Sequence, residues 1–316
     1  MKKLHYHLRQ ESTVKIPTPP PDAKQVVEAV GNMYHQFPFP PPQRKHTYRQ
    51  HAVFVHQLLK KLQINPKGKL FGDIACGTGL MMLDYALEFP ETRFIGYDIS
   101  SKSVDLANKY FQKAGIGNRV HSFIKDITKL KDKEEFSYIV SWGTIHHLPN
   151  PKEGIHILCR ALKPNGVLRT GIYGYYGNWE RRIQLEIVDT ILDNSMDFST
   201  KIKIVQAWAK GDKTFKNTHT APPVDIEDKT WVVDEFLHVW EQHLRLKDIV
   251  EWLTNEGMRI ICLTDYYDKI ISLNISDYSS NSVFIKRVER LSFPEHCHLI
   301  DLITRPYWIS LFAQKV

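Results

Sequence analysis

The chain has 316 residues, an apolar share of 42% and a formal net charge of +7. That length allows one large domain or a core domain with additions, and the apolar share is enough for a full core. Its four cysteines (Cys76, Cys159, Cys262, Cys297) are scattered without a Cys-x-x-Cys pair, and no apolar run approaches 18 residues. A disulfide framework, a zinc ribbon and a spanning helix are therefore not expected, and the reducing cytoplasm is.

The basic surplus sits at the start. Residues 1–70 hold twelve lysines and arginines against three acidic residues, and the remainder holds thirty against thirty-two. Such a stretch suits an anionic partner such as RNA, about one counterion being released per phosphate neutralised; solvated lysines are the alternative. Residues 1–22 end in a proline run and are expected to be extended. A helix is expected over 22–33, where Val26, Val27, Ala29 and Val30 are apolar. The aromatic and proline run 34–42 must then take an extended path, and its rings need a surface to cover. Tyr34 and Phe37 are candidate pocket residues if this segment folds over a ligand; a linker is the alternative. An amphipathic helix is expected over 51–62, closed by Asn65-Pro66.

Leu70 and Phe71 lead as a short buried strand into Asp73, a turn of small residues follows (Ala75, Cys76, Gly77, Thr78, Gly79), and residues 80–89 continue as an apolar helix. A strand, a glycine-rich turn and a helix let a ligand approach bare backbone beside a helix N-terminus. The dinucleotide fingerprint wants a third glycine where Met82 stands, which counts against a nicotinamide cofactor. Strands are expected over 92–97, 120–124, 136–140 and 167–173, with helices over 101–114 and 152–162 and a turn at 163–166. Strands alternating with helices imply a parallel sheet covered on both faces. Helices over 179–192, 200–209, 246–255 and 292–303, a polar loop over 211–228, and strands over 258–263 and 307–313 complete the reading.

The segment Asp73-Ile74-Ala75-Cys76-Gly77-Thr78-Gly79 resembles the first motif of class I, Rossmann-like S-adenosylmethionine-dependent methyltransferases, with Ala75 in place of the first glycine. His146-His147 before a loop and Leu-Lys-Pro-Asn-Gly before the fifth strand are similar to the same family, and the likeness spans 69–174. The run 34–42 resembles an aromatic and proline element preceding that domain in some uncharacterised bacterial members. The resemblance implies a doubly wound α/β fold, with a seven-stranded, mostly parallel sheet whose last strand is antiparallel. It implies S-adenosyl-L-methionine as cofactor, held by Asp73 and the turn 75–79, by Asp98 and Ile99 after the second strand, by Asp126 and Ile127 after the third, and by Ser141 and Trp142 after the fourth. Asp98 would accept from both ribose hydroxyls and Asp126 from the adenine amino group; for Asp126 a helix N-cap is the alternative.

Four regions result: a basic N-terminal arm (1–50), a cofactor-binding core (51–174), a helical substrate cap (175–245) and a C-terminal completion of the sheet (246–316) with an insertion at 266–305. For proton transfer the candidates are His147 and His238, because histidine titrates near neutrality, together with Tyr173. His146, Tyr176 and Trp240 join Tyr34 and Phe37 as candidate pocket residues, and packing beneath the cofactor is the alternative role for the histidine pair. No metal site is expected, since His296-Cys297-His298 is contiguous in a helix and its ligands would point apart. The leading expectation is methylation of oxygen or nitrogen on a small molecule or peptide in a capped pocket. The alternatives are RNA or protein methylation guided by the basic arm, and a cofactor-binding module without chemistry. No oligomeric state follows from the sequence.

Overall fold

Short apolar runs alternating with amphipathic helices assemble into an eight-stranded sheet in the computed structural model, which describes residues 6–7, 22–41, 48–193, 195–211 and 225–316. Most of the expected lead-in over 1–22, Pro42, and most of the polar loop over 211–228 lie outside the described residues. In chain order the strands are β1 (Leu70–Ile74), β2 (Arg93–Asp98), β3 (Val120–Ile124), β4 (Phe136–Trp142), β5 (Leu162–Tyr173), β6 (Met258–Thr264), β7 (Ile270–Ile271) and β8 (Trp308–Lys315). Their order across the sheet is β3-β2-β1-β4-β5-β8-β6-β7. The first five are parallel, and β8 runs antiparallel to both β5 and β6.

The sheet has one strand more than expected. β7 pairs Ile271 with Leu263 and Ile270 with Thr264, inside the segment read as an insertion. Two residues are too few to show an alternation in sequence. The expected turn at 163–166 is also absorbed into β5. Phe136 pairs with Leu162 and Tyr138 with Val167, so the extra residues bulge out between them, with Asn165 at φ 62°.

The helices are α1 (Ala23–Gln36), α2 (Arg49–Lys61), α3 (Leu80–Glu88), α4 (Ser101–Lys113), α5 (Pro151–Ala161), α6 (Trp179–Ile191), α7 (Phe198–Ala209), α8 (Lys229–Phe236), α9 (Leu246–Asn255), α10 (Ser282–Val288) and α11 (Phe293–Thr304). α8 and α10 were not expected. α8 mixes its apolar residues with Asp234 and Glu235, and α10 exposes Val283 and Phe284, so neither shows a clean apolar stripe.

Helices α2, α3 and α4 cover one face of the sheet, where Val55, Leu59, Met82 and Phe111 pack with Phe71 and Tyr138. Helices α5 and α9 cover the other, where Ile155, Leu158, Ile249 and Leu253 pack with Ile74 and Ile139. Each such side chain, fully buried, contributes about 1.5–3 kcal/mol. A third core lies off the sheet: Met33 of α1 packs with Leu185, Val188, Ile202, Val205 and Phe236 of α6, α7 and α8. Residues 23–36 thus belong with the cap, bringing Tyr34 to the carboxyl ends of the strands. β1 lies between β2 and β4, the point at which the connections reverse direction, so its carboxyl end opens into a crevice.

Candidate functional site

The turn after β1 is held tight by its own backbone. Ala75 and Cys76 donate their N–H groups to the Tyr97 carbonyl at 2.7 and 3.0 Å, which ties the loop to the end of β2. Gly77 and Gly79 have φ of 52° and 75°, a region that side chains rarely adopt. A Cβ on Gly79 would lie 2.6 Å from the Ala107 Cβ and 2.8 Å from Phe111, so this glycine lets the loop approach α4. A Cβ on Gly77 would overlap the Phe39 carbonyl oxygen. Residues 39–40 lie across the loop: the Phe39 carbonyl accepts the Thr78 N–H at 3.1 Å, and the Pro40 carbonyl accepts the Thr78 hydroxyl at 2.8 Å.

Two buried carboxylates flank this loop. Asp98 accepts from the Gly77 N–H and the Ser100 N–H, both at 2.8 Å. Burial raises its pKa, and those two N–H groups pull it back. Asp73 is 3% exposed, burial and the Asp98 charge push it up to about 8, and its Oδ2 has no hydrogen-bond partner. That orphaned oxygen beside the loop is free to bond a donor from outside the chain, and a cationic donor would draw the group toward its ionised form. Asp126 accepts the Thr128 N–H at 2.9 Å through Oδ1 and so caps a short 3₁₀ turn, while Lys129 lies 3.2 Å from Oδ2. The N-cap reading of Asp126 therefore holds for one oxygen, while the residue also lines the cavity described next.

One cavity of about 1490 Å³, its mouth included, runs from this loop to the underside of the cap. Of the residues expected at the cofactor, Asp73, Ala75, Cys76, Gly77, Asp98, Ile99, Asp126, Ile127 and Trp142 line it. Thr78 and Gly79 do not, their roles being the contacts just described. Ser141 is fully buried and also off the wall. Of the acceptor-side candidates, Tyr34, His146, His147 and Tyr173 line the cavity. Phe37 instead packs on Phe198 in the cap core, Tyr176 on Tyr175 and His298, and Trp240 and His238 stand behind the wall.

The end of the cavity under the cap is built on an ion network that sequence reading missed. Arg181 of α6 is 2% exposed; its Nε donates to Glu235 at 2.7 Å, and its two terminal nitrogens bond both oxygens of Glu241. The Tyr173 and Tyr307 hydroxyls donate to Glu235 at 3.3 and 3.2 Å. Neighbouring Asp234 accepts the Tyr34 hydroxyl at 2.9 Å. Asp234 and Glu235 stand in adjacent positions of α8, Glu241 lies beyond its end, and Arg181 is 53 residues or more upstream, so no spacing in the sequence announces the set. His146, His147 and Glu241 bring ligand-type atoms within 4.8 Å of one another, but the Glu241 carboxylate is already held by Arg181.

The histidines differ from expectation. Burial pushes His147 down to about 4, and burial followed by the charge of His147 holds His238 well below its usual value. Both are neutral at pH 7, so titration near neutrality, the basis for choosing them, does not apply. His147 donates Nδ1–H to the Trp240 carbonyl at 3.1 Å and stacks on His238 with ring centroids 3.7 Å apart. His238 accepts the Trp240 N–H on Nδ1, which places its own proton on Nε2, 3.2 Å from the Tyr34 hydroxyl. His146 is 1% exposed, and neither of its ring nitrogens has a partner.

Residues 72–166 match a family described as a methyltransferase domain. An uncharacterised protein of Synechococcus is 28% identical over 255 residues, 76% of this chain and 60% of that protein. Malonyl-[acyl-carrier protein] O-methyltransferase 2 of Ilyobacter polytropus is 26% identical over 156 residues, 48% of this chain and 59% of that protein. The solved structure of PKMT2 from Rickettsia typhi in complex with AdoHcy superposes with a TM-score of 0.62 at 17% identity, over 86% of this chain and 54% of that one. The chain thus spans about three-fifths of the length of the relatives it matches.

Proposed function

We propose that this chain, which carries a class I S-adenosylmethionine-dependent methyltransferase domain, transfers a methyl group to an oxygen or nitrogen of a small molecule or peptide enclosed under the cap. The observation that carries the reading is the single cavity joining the Asp73–Asp98 loop to the Asp234–Glu235 end. The residues suit the cofactor. The orphaned Asp73 Oδ2 and the paired oxygens of Asp98 offer acceptors for ammonium and hydroxyl donors beside a loop of small residues. When bound, S-adenosylmethionine supplies an electrophilic methyl group on a sulfonium. The chain's own residues align the acceptor and exclude water: Tyr34, Phe39 and Trp231 close the cavity from the N-terminal and cap sides. Such alignment is worth as much as about 7–11 kcal/mol of a displacement barrier.

Calorimetric binding of S-adenosylmethionine, followed by formation of S-adenosylhomocysteine with a panel of acceptors, tests the proposal. Tight cofactor binding with no turnover on any acceptor class would leave a binding module instead. Methylation of RNA through the basic stretch over 1–70 is separated by salt. Engaging six to ten phosphates would lower affinity about 10³–10⁵-fold between 50 and 200 mM salt, whereas a capped small molecule would change little.

A further inference from the structure

The end of the cavity under the cap gathers three acidic side chains around one guanidinium. Asp234, Glu235 and Glu241 are all buried, and Arg181 is the guanidinium bonded among them. Arg181 is committed to Glu235 and Glu241. Asp234 accepts only a neutral hydroxyl among the hydrogen bonds of the described residues. Tyr34, Tyr173, Tyr307 and Trp308 line the same cavity as Asp234. One further group lacks something to bond: His146 of the same wall is buried with neither ring nitrogen partnered, and its unprotonated nitrogen can accept from a donor. A carboxylate and an unfilled imidazole acceptor on one aromatic-lined wall suit a protonated amine, whose charge answers the carboxylate and the ring faces together.

We infer that the methyl acceptor is an aliphatic amino group, bound as its ammonium ion against Asp234, and that Asp234 takes the proton the nitrogen must lose. This deepens the methyltransferase reading and rests on it. The ammonium gives one proton to the Asp234 carboxylate, an O–H bond forming as an N–H bond breaks. The freed nitrogen lone pair makes the N–CH₃ bond while the S–CH₃ bonding pair stays on sulfur, so one positive charge passes from donor to product. The hydrogen bonds run the right way for this. His238 Nε2–H points to the Tyr34 oxygen, and Tyr34 donates to Asp234, which leaves the carboxylate as the terminal acceptor. Burial, moderated by the Tyr34 hydroxyl, pushes Asp234 up to about 7, so a proton moves to or from it near neutrality. The charged and titratable groups facing it are Tyr34 from α1, Arg181 from α6, Glu235 from α8, and Glu241 beyond.

The test is a binding measurement on the full chain saturated with S-adenosylhomocysteine. The probes are 1,5-diaminopentane, Nα-acetyl-lysine amide as the peptide form, 1-pentanol and pentanoate. The amines are expected to bind at least tenfold more tightly than the alcohol or the carboxylate, and more tightly as the pH rises from 6 to 8. Whichever amine binds better identifies the source as free amine or peptide side chain. Asp234→Asn is expected to weaken the amine at least tenfold while the affinity for S-adenosylhomocysteine stays within twofold. Equal binding of amine and alcohol, or no amine binding at all with the cofactor product in place, overturns the inference. So does an Asp234→Asn variant that loses affinity for S-adenosylmethionine but not for the amines, because the carboxylate would then serve the sulfonium. Should that variant not fold, the comparison of probes on the wild-type chain still decides. Failure of the wild type to bind S-adenosylhomocysteine is a different result, and it removes the methyltransferase reading itself.

Discussion

Replacing Arg181 by methionine is expected to be the most destabilising single change at the acceptor end. The side chain lies between α6, α8 and the short strand Trp240–Glu241, bonding the Glu235 carboxylate at 2.7 Å, the Glu235 carbonyl at 2.9 Å and both oxygens of Glu241. Both carboxylates are at most 4% exposed, so neither regains water when the guanidinium leaves. Breaking a buried ion network in this way costs about 3–5 kcal/mol, against a whole-domain stability of about 5–15 kcal/mol. At roughly 2–4 °C per kcal/mol for a domain of this class, the melting temperature should fall by about 6–20 °C.

The pH dependence has a definite sign. Burial pushes the Glu241 carboxyl up, and Arg181 more than reverses this, leaving it well below the ordinary range. In the wild type its contribution is therefore fully present above the unfolded value of about 4.3 and is lost only under strong acid. In Arg181→Met only the smaller pull of His243 and His147 opposes burial, the folded-state pKa is expected above about 4.3, and the variant then loses stability as the pH rises from that value. Urea denaturation followed by circular dichroism should show a wide gap between the two proteins at pH 7.5 and a narrower one at pH 5.0. Adding Glu235→Gln and Glu241→Gln to the variant should restore at least half of the loss, since the stranded charges are gone. A loss below about 1 kcal/mol at pH 7.5, or a gap that does not narrow at pH 5.0, would refute this account of the network.

Asp98→Ala should weaken S-adenosylmethionine binding about 10–100-fold by calorimetry, through lost hydroxyl acceptors and released Gly77 and Ser100 N–H groups; an unchanged Kd would sink the cofactor assignment. Because burial takes His147 to about 4, His147→Gln should leave the kcat/KM profile above pH 6 unaltered in shape; an inflection near 6.5 that disappears in the variant would return this histidine to acid–base duty. Gly79→Ala places a methyl group 2.6 Å from Ala107 at φ 75° and should lower stability by about 1–3 kcal/mol in the same denaturation assay. Wild-type stability in that variant would mean that the loop yields where the structure shows it tied.

The cofactor half of the molecule was legible because its signals are local. The strand into Asp73, the glycines at φ 52° and 75°, and Asp98 at the end of β2 are each announced by a few consecutive residues, and β1 to β5 repeat one period. The sequence by itself therefore determined the alternating parallel strands and the acids flanking the loop, and the antiparallel last strand followed from the family resemblance. Strand β7 and helices α8 and α10 were not legible, being short or lacking an apolar stripe.

The acceptor end was decided by tertiary structure, for a physical reason. The value of Arg181, Asp234, Glu235, Glu241, Tyr34 and Tyr307 lies in burial and mutual charge, which exist only once α1, α6, α8 and the β5–β8 edge meet. The same burial moved His147 and His238 away from the neutral range that made them attractive as letters in a sequence. A motif survives translation from sequence to structure when its chemistry depends on backbone and spacing. When it depends on how much water a side chain keeps, only the folded chain sets it.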